Sequence, residues 1–260
     1  MILQGKTVIV SGVGPGLGGA IARCALRDGA NVVVGARNAE RLAAAAKELD
    51  ASGRRVAAHA FDLGDAGACE ALVAEAERRF GGVDALVQVA ALDAVFGGLD
   101  STSAEEFRRV MEVNLIGSVQ LCRAAAPALA RRGGGAIVLI GAQAWAHPPD
   151  TLQLAYAASK GALIAAMFHL ALELGPKKIR VNTVIPTWMW GPPVEGYLRW
   201  KAQETGIDER ELRAQVEKKF PLGEIPADDD VAEVATLFCS ERMRMVTGQY
   251  LRVDAGEKMG

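Results

Sequence analysis

A chain of 260 residues, half of them hydrophobic and with a formal net charge of −2, can bury one large α/β core and has no basic surplus for binding nucleic acid. Four widely separated cysteines (Cys24, Cys69, Cys122, Cys239) form no C-x-x-C pair, and His59, His147 and His169 share no ligand spacing, so free thiols in a reducing compartment and no metal are expected. No signal peptide opens the chain, and its longest uncharged apolar run, Gly161 to Leu172, falls short of the ~20 residues of a membrane span, so a cytoplasmic protein is expected.

From the N-terminus, short runs of β-branched and aliphatic residues alternate with longer Ala- and charge-rich segments. Strands are expected at Thr7–Ser11, Asn31–Ala36, Val56–Asp62, Ala85–Ala90, Ala136–Ile140, Arg180–Ile185 and Tyr250–Val253. Helices are expected around 17–28, 38–52, 65–80, 103–131, 152–175 and 228–240. The strand runs are almost continuously apolar, which suits a parallel sheet covered on both faces. With right-handed crossovers this is a doubly wound α/β sheet of about seven strands, helices on both faces, in a single domain over 1–260. One stretch breaks the rhythm. Thr187 to Leu222 carries Trp188, Trp190 and Trp200 and turns charged and helix-like from Asp208 to Lys219. An insertion of this length is expected to be a helical lid over a binding site, with a peripheral helical hairpin as the alternative.

The first strand runs into Ser11-Gly12-Val13-Gly14-Pro15-Gly16-Leu17-Gly18, and a helix follows. Glycines there let the backbone approach a pyrophosphate, and the helix N-terminus offers unpaired N–H groups and a positive dipole end. The strand–turn–helix context marks a Rossmann-type nucleotide site. The second strand ends in Ala36-Arg37 with no acid to bind a ribose 2′-hydroxyl. Arg37 suits a 2′-phosphate instead, which favours NADP, with NAD as the alternative. Asp62, at the end of the third strand, is placed either to accept from an adenine amino group or to cap a helix.

Tyr156 and Lys160 lie four residues apart in a segment read as helix, so both side chains share one face. An ammonium close to a phenol favours the phenolate and is expected to lower the tyrosine pKa toward neutrality, where it can shuttle protons.

Taken in order, these motifs resemble the short-chain dehydrogenase/reductase family. The turn from Ser11 to Gly18, Asn114 in V-N-L-I-G, Tyr156-x-x-x-Lys160 in Y-A-A-S-K, and the closing T-G-Q-Y-L-R-V-D-A-G from Thr247 carry the likeness, which spans essentially the whole chain. The resemblance implies an NADP(H)-dependent oxidoreductase. Tyr156 would act as acid or base, Lys160 would hold the nicotinamide ribose, and Asn114 would anchor a proton-relay water. Cofactor contacts would come from Ser11, Gly12, Gly14, Gly16, Leu17 and Gly18. Arg37, Asp62, Leu63, Ala90 and Pro186 would add to them. The family also implies a homotetramer or homodimer through the helices at 103–131 and 152–175.

The chain departs from the family pattern at three points. Gln143 stands thirteen residues before Tyr156, where the family has a serine. It is read either as a replacement hydrogen-bond donor, since its amide has two N–H groups, or as a pocket-lining residue. The fourth strand ends in Gln88-Val89-Ala90-Ala91 rather than N-N-A-G, and Pro186 is followed by Thr187 rather than glycine. Around the expected pocket, Gln143, Trp145, His147, Trp188, Met189 and Trp190 are largely apolar or aromatic. A hydrophobic secondary alcohol or ketone, steroid-, terpenoid- or acyl-like, would bury area there. The alternative reading is a nucleotide-binding regulator or scaffold of the same fold with weak or no turnover.

Overall fold

The apolar runs form one parallel sheet in the computed structural model, which describes residues 1–149 and 151–259 and all their side chains except that of Pro192. Its strands are β1 (Thr7–Ser11), β2 (Asn31–Ala36), β3 (Val56–Ala60), β4 (Ala85–Gln88), β5 (Gly135–Ile140), β6 (Ile179–Pro186) and β7 (Tyr250–Val253). They lie in the order β3-β2-β1-β4-β5-β6-β7. The order reverses between β1 and β4, where a crevice opens at the carboxyl ends of the strands. Val8, Val10, Val32 and Val34 pack on one side against α1 (Leu17–Arg27) and α9 (Asp228–Cys239). Ile9, Val33, Leu86 and Ile137 pack on the other, against α3 (Ala66–Phe80), α5 (Ser118–Arg131) and α6 (Leu154–Leu174). This two-sided burial is why the strands read as continuous apolar runs.

Two strands end earlier than the apolar pattern suggests. β3 stops at Ala60, and beyond it Phe61 N bonds Ala36 O at 3.1 Å before the chain turns at Asp62. β4 stops at Gln88: Val89 N makes the last ladder bond, to Ser11 O at 3.2 Å, and shares it with the Ser11 hydroxyl, 3.2 Å. The helix expected over 103–131 is three pieces: α4 (Ala104–Met111), a π-helical turn at Glu112–Gly117, and α5. Ser103 and Glu106 close a capping box at the start of α4. The remaining helix on the β2–β3 side is α2 (Ala39–Leu49), capped by Asn38.

The segment after β6 folds as α7 (Pro192–Thr205) and α8 (Glu209–Glu217), so both halves of the expected lid are helical. By length and composition, Leu154–Lys177 is also apolar enough to cross a membrane. The shorter run read from sequence stopped at Lys160 and Glu173. In the fold, Ala155, Ser159, Leu163, Met167, Ala171 and Leu174 of α6 are buried, while Phe168 and Leu172 are 47% and 80% exposed on its other side.

β1 hands over to α1 at Gly12, whose φ of 81° lies in the left-handed region. A Cβ there would overlap the Ala90 backbone nitrogen. Gly12→Ala is therefore expected to cost ~2–3 kcal/mol. In a thermal scan the melting temperature should fall by about 5 °C or more; an unchanged midpoint would show that the turn tolerates a side chain.

Candidate active site

The turn after β1 is built to leave backbone exposed to a ligand. Gly12 N and Val13 N bond Gly35 O at 2.7 and 3.1 Å, which fixes the turn to β2. A Cβ at Gly18 would strike the Gly12 carbonyl, and one at Gly19 the Gly14 carbonyl, so the helix can start this close to the strand only with glycine. Gly14 has nothing within 4 Å of where its Cβ would stand. Gly16 caps α1 with no side-chain hydrogen bond, and the first turn of the helix carries no acid. Amide donors and the positive dipole end are thus unspent, and the residues present fit a dinucleotide pyrophosphate.

Tyr156 and Lys160 sit one turn apart on α6, and Lys160 Nζ lies 5.7 Å from the Tyr156 ring centroid. Lys160 is buried and donates to Ile140 O at 2.7 Å, which ties α6 to the end of β5. Burial lowers the Lys160 pKa to about 8, partly offset by the negative charge of Asp93. Burial, with Asp93 again adding to it, pushes the Tyr156 phenol up. For the tyrosine this is the reverse of the direction expected from sequence. The loss of hydration around a buried phenolate outweighs a cation more than 5 Å from the ring.

Asn114 lies in the π-helical turn and is buried. Its Oδ1 accepts from Leu92 N at 2.7 Å, and its Nδ2 donates to Leu92 O at 3.1 Å and to Ser159 Oγ at 3.0 Å. Asn114 therefore reaches the helix of the Tyr–Lys pair through Ser159, which donates to Tyr156 O at 2.7 Å. Gln143 opens a single 3-10 turn, Gln143–Trp145, three residues beyond Ile140. It is buried, and neither Nε2 nor Oε1 has a partner among the described residues.

The other expected site residues divide. Arg37 is exposed at the end of β2. Asp62 is exposed and accepts from Gly64 N at 3.0 Å, while Asp65, not Asp62, caps α3. Leu63 is buried under the π-helical turn, where a Cβ on Gly117 would meet its carbonyl at 2.5 Å. Ala90 abuts Gly12, and Pro186 is buried at the end of β6. Trp188 meets Tyr197 edge-on at 5.1 Å, and Tyr197 meets Trp200 at 5.8 Å, so this aromatic cluster belongs to α7 and its approach. Three of the expected pocket residues have other neighbours. The Trp145 ring meets Tyr250 of β7 edge-on at 5.9 Å. Trp190 lies under the Arg213 guanidinium, 3.9 Å from its ring centroid, and joins the start of the insertion to α8. Met189 packs against the core layer of α1 and α9.

Sequence reasoning passed over Asp93, whose charge acts on both members of the pair, and Ser159. Ser159 sits inside Y-A-A-S-K, so its helical position was legible. Asp93 lies in a loop with no periodic signal. Asp228 was also missed: a Cβ at Gly16 or at Gly191 would stand 3.6 Å from its Oδ2, so it adjoins both the glycine turn and the start of α7. Burial, helped by the neighbouring Asp229, raises its pKa.

With this geometry in place, a family model described as enoyl-(acyl carrier protein) reductase matches residues 12–258. The chain is 31% identical over 254 residues to dehydrogenase/reductase SDR family member 4 of Bos taurus, covering 98% of this chain and 88% of that one. The structure of L-sorbose reductase from Gluconobacter frateurii, complexed with NADPH and L-sorbose, superposes with a TM-score of 0.91 at 27% identity, covering 99% and 98% of the two chains. An actinorhodin polyketide ketoreductase with NADPH superposes with a TM-score of 0.87 at 28% identity, covering 97% of each.

A buried amide with two unmet polar atoms costs folding free energy. Gln143→Leu, similar in size and apolar, is expected to raise stability by ~1–2 kcal/mol in denaturant titration. A loss of stability would mean that the amide has partners in the folded protein.

Proposed function

The chain belongs to the short-chain dehydrogenase/reductase family of NAD(P)-dependent oxidoreductases, and we propose that its reaction moves a hydride between NADP(H) and a hydrophobic secondary alcohol or ketone. The observation that carries the reading is the buried Lys160 ammonium 5.7 Å from the Tyr156 ring, with a buried Gln143 amide on the turn after β5 that has no partner among the described residues. The preference for NADP rests on exposed Arg37 at the end of β2, where no acid stands to take a ribose 2′-hydroxyl. The hydrophobic substrate class rests on the Trp188–Tyr197–Trp200 cluster of the insertion over 187–222, read as a lid. The names of the two structural neighbours span a sugar and a polyketide, so they favour neither class.

When bound, the nicotinamide supplies or accepts the hydride. Tyr156 Oη gives its proton to the carbonyl oxygen in reduction and takes it back in oxidation. Burial favours the neutral phenol, the form that donates, and so suits reduction. Lys160, protonated below about pH 8, is the adjacent proton source and the group that holds the ribose. Gln143 Nε2–H donates to the same substrate oxygen in place of the family serine; one such donor is worth ~3 kcal/mol in the transition state. Asn114 and Ser159 hold the helix of the pair in place. The exposed apolar side chains Phe168 and Leu172 of α6, with Ile116 of the π-helical turn, support assembly into a homodimer or homotetramer through the segments 103–131 and 152–175. Four free, buried cysteines support a cytoplasmic setting.

Tyr156→Phe tests the assignment. With NADPH and a panel of hydrophobic ketones, nicotinamide absorbance should stop falling, a loss of about three decades, while NADPH affinity by fluorescence stays within about threefold. Full activity in this variant would sink the mechanism. NADPH binding by the wild-type chain without turnover across the panel would favour the regulator reading.

The pH dependence has a defined sign. The ammonium of Lys160 is lost as pH rises through about 8, so reduction should decline about tenfold per unit above that point, and oxidation should not. Rate profiles in both directions check it; reduction that stays flat to pH 10 would exclude Lys160 as the proton source.

A further inference from the structure

β4 ends in a glutamine for which the reaction above has no role. Gln88 is buried, and both ends of its amide are engaged. The Ser11 hydroxyl donates to Gln88 Oε1. Gln88 Nε2 donates to Ala90 O at 3.0 Å and to Ser118 Oγ at 2.7 Å. Ser118 Oγ donates in turn to Asn114 O at 2.7 Å. The bonds of Asn114 to Leu92 and Ser159, and of Ser159 to Tyr156 O, complete an unbroken string. It runs from the turn that fits a pyrophosphate to the helix that carries Tyr156 and Lys160. Ser11, Gln88, Ser118, Asn114 and Ser159 are all buried.

The string meets the helix at a local irregularity, the π-helical turn between α4 and α5. In the π-helical turn, Ser118 N bonds Leu115 O rather than the Asn114 carbonyl four residues back. The Ser118 hydroxyl donates to that carbonyl instead. Gln88 then orients the hydroxyl, because Ser118 Oγ must accept from Nε2 if its one proton goes to Asn114 O. Side-chain length matters as well. An asparagine at position 88 is one methylene shorter and cannot reach Ser11 on β1 and Ser118 on α5 together. A hydrogen-bonded network whose every member is satisfied holds one arrangement, and this one spans the crevice between β1 and β4.

We infer that Gln88 is a positioning residue. Through Ser118 it sets the π-helical turn that aims Asn114 at Leu92 and Ser159, and so couples the cofactor turn to the acid–base helix. The inference rests on the proposed oxidoreductase reading only in its second readout. The first is hydrogen exchange of the free protein, measured for Gln88→Asn, Gln88→Glu and Ser118→Ala. Gln88→Glu keeps the acceptor for Ser11 and removes the donor for Ser118. Peptides covering 112–118 and 89–93 should exchange about tenfold faster or more in all three variants, with the sheet peptide 136–140 unchanged. A residue that merely fills space at position 88 would speed exchange only next to itself. Unchanged protection at 112–118 in the variants that fold overturns the proposal, and Ser118→Ala, the smallest change, decides the case if both glutamine variants fail to fold. The second readout uses NADPH and whichever ketone of the panel is turned over. kcat should fall about fivefold or more in Gln88→Glu, while NADPH affinity stays within about threefold. A smaller fall in kcat overturns the coupling to the helix. Absence of turnover in the wild type bears on the proposed reaction alone and leaves the exchange result to judge Gln88.

Discussion

The hydrogen bond from Lys160 Nζ to the carbonyl of Ile140, 2.7 Å, is the contact on which the arrangement of the site depends. A buried ammonium costs several kcal/mol unless it finds an acceptor, and a strand carbonyl is already spoken for wherever the ladder continues. Ile140 O is available because β4 stops pairing with β5 at Gln88–Leu139, one residue short. The early end of β4 therefore does two things. It leaves an acceptor at the carboxyl end of β5 for the lysine, and it lets the chain from Val89 to Leu92 peel away to meet Asn114.

The same departure explains why the site lies where it does. The sheet order reverses between β1 and β4, so the helices after β1 and β4 diverge to opposite faces and leave the strand ends open. Glycine brings α1 hard against β1 on one side of that opening, and the π-helical turn brings Asn114 in on the other. α6 closes the third side, held at β5 by Lys160 and at the turn by Ser159.

What could be read from sequence follows from how local each cause is. Apart from the break over 103–131, strand and helix ends were legible to within three residues, since hydrophobic continuity and glycine punctuation act over a few neighbours. The glycine turn and the four-residue spacing of Tyr156 and Lys160 stand out in the sequence by themselves, and Asn114 was singled out through the family resemblance. The break in the helix over 103–131 was not legible: the contacts made there, such as Leu92 N to Asn114 Oδ1, join residues twenty-two positions apart in sequence. Nor were the directions of Trp145 and Trp190, whose ring partners lie on β7 and α8. The Tyr156 shift was misread for a similar reason. A helical spacing announces the cation, but the desolvation that opposes it depends on everything packed around the ring.

Two buried glutamines show how polar groups divide between structure and chemistry. Gln88 sits on a strand, and its amide oxygen and nitrogen both have partners from neighbouring elements. Gln143 sits at the carboxyl end of the sheet, three residues past the carbonyl that holds Lys160, and neither of its polar atoms has one. A folded chain keeps an unmet buried amide only against a cost of ~1–3 kcal/mol, and a serine at that position would expose the fold to less of it. Packing gives no reason to keep the amide, since an apolar residue of that size would fill the same space. The satisfied glutamine accounts for the shape of the site. The other has no partner among the described residues and lies three residues past the carbonyl that Lys160 holds, which is the observation behind the proposal that it meets a substrate oxygen.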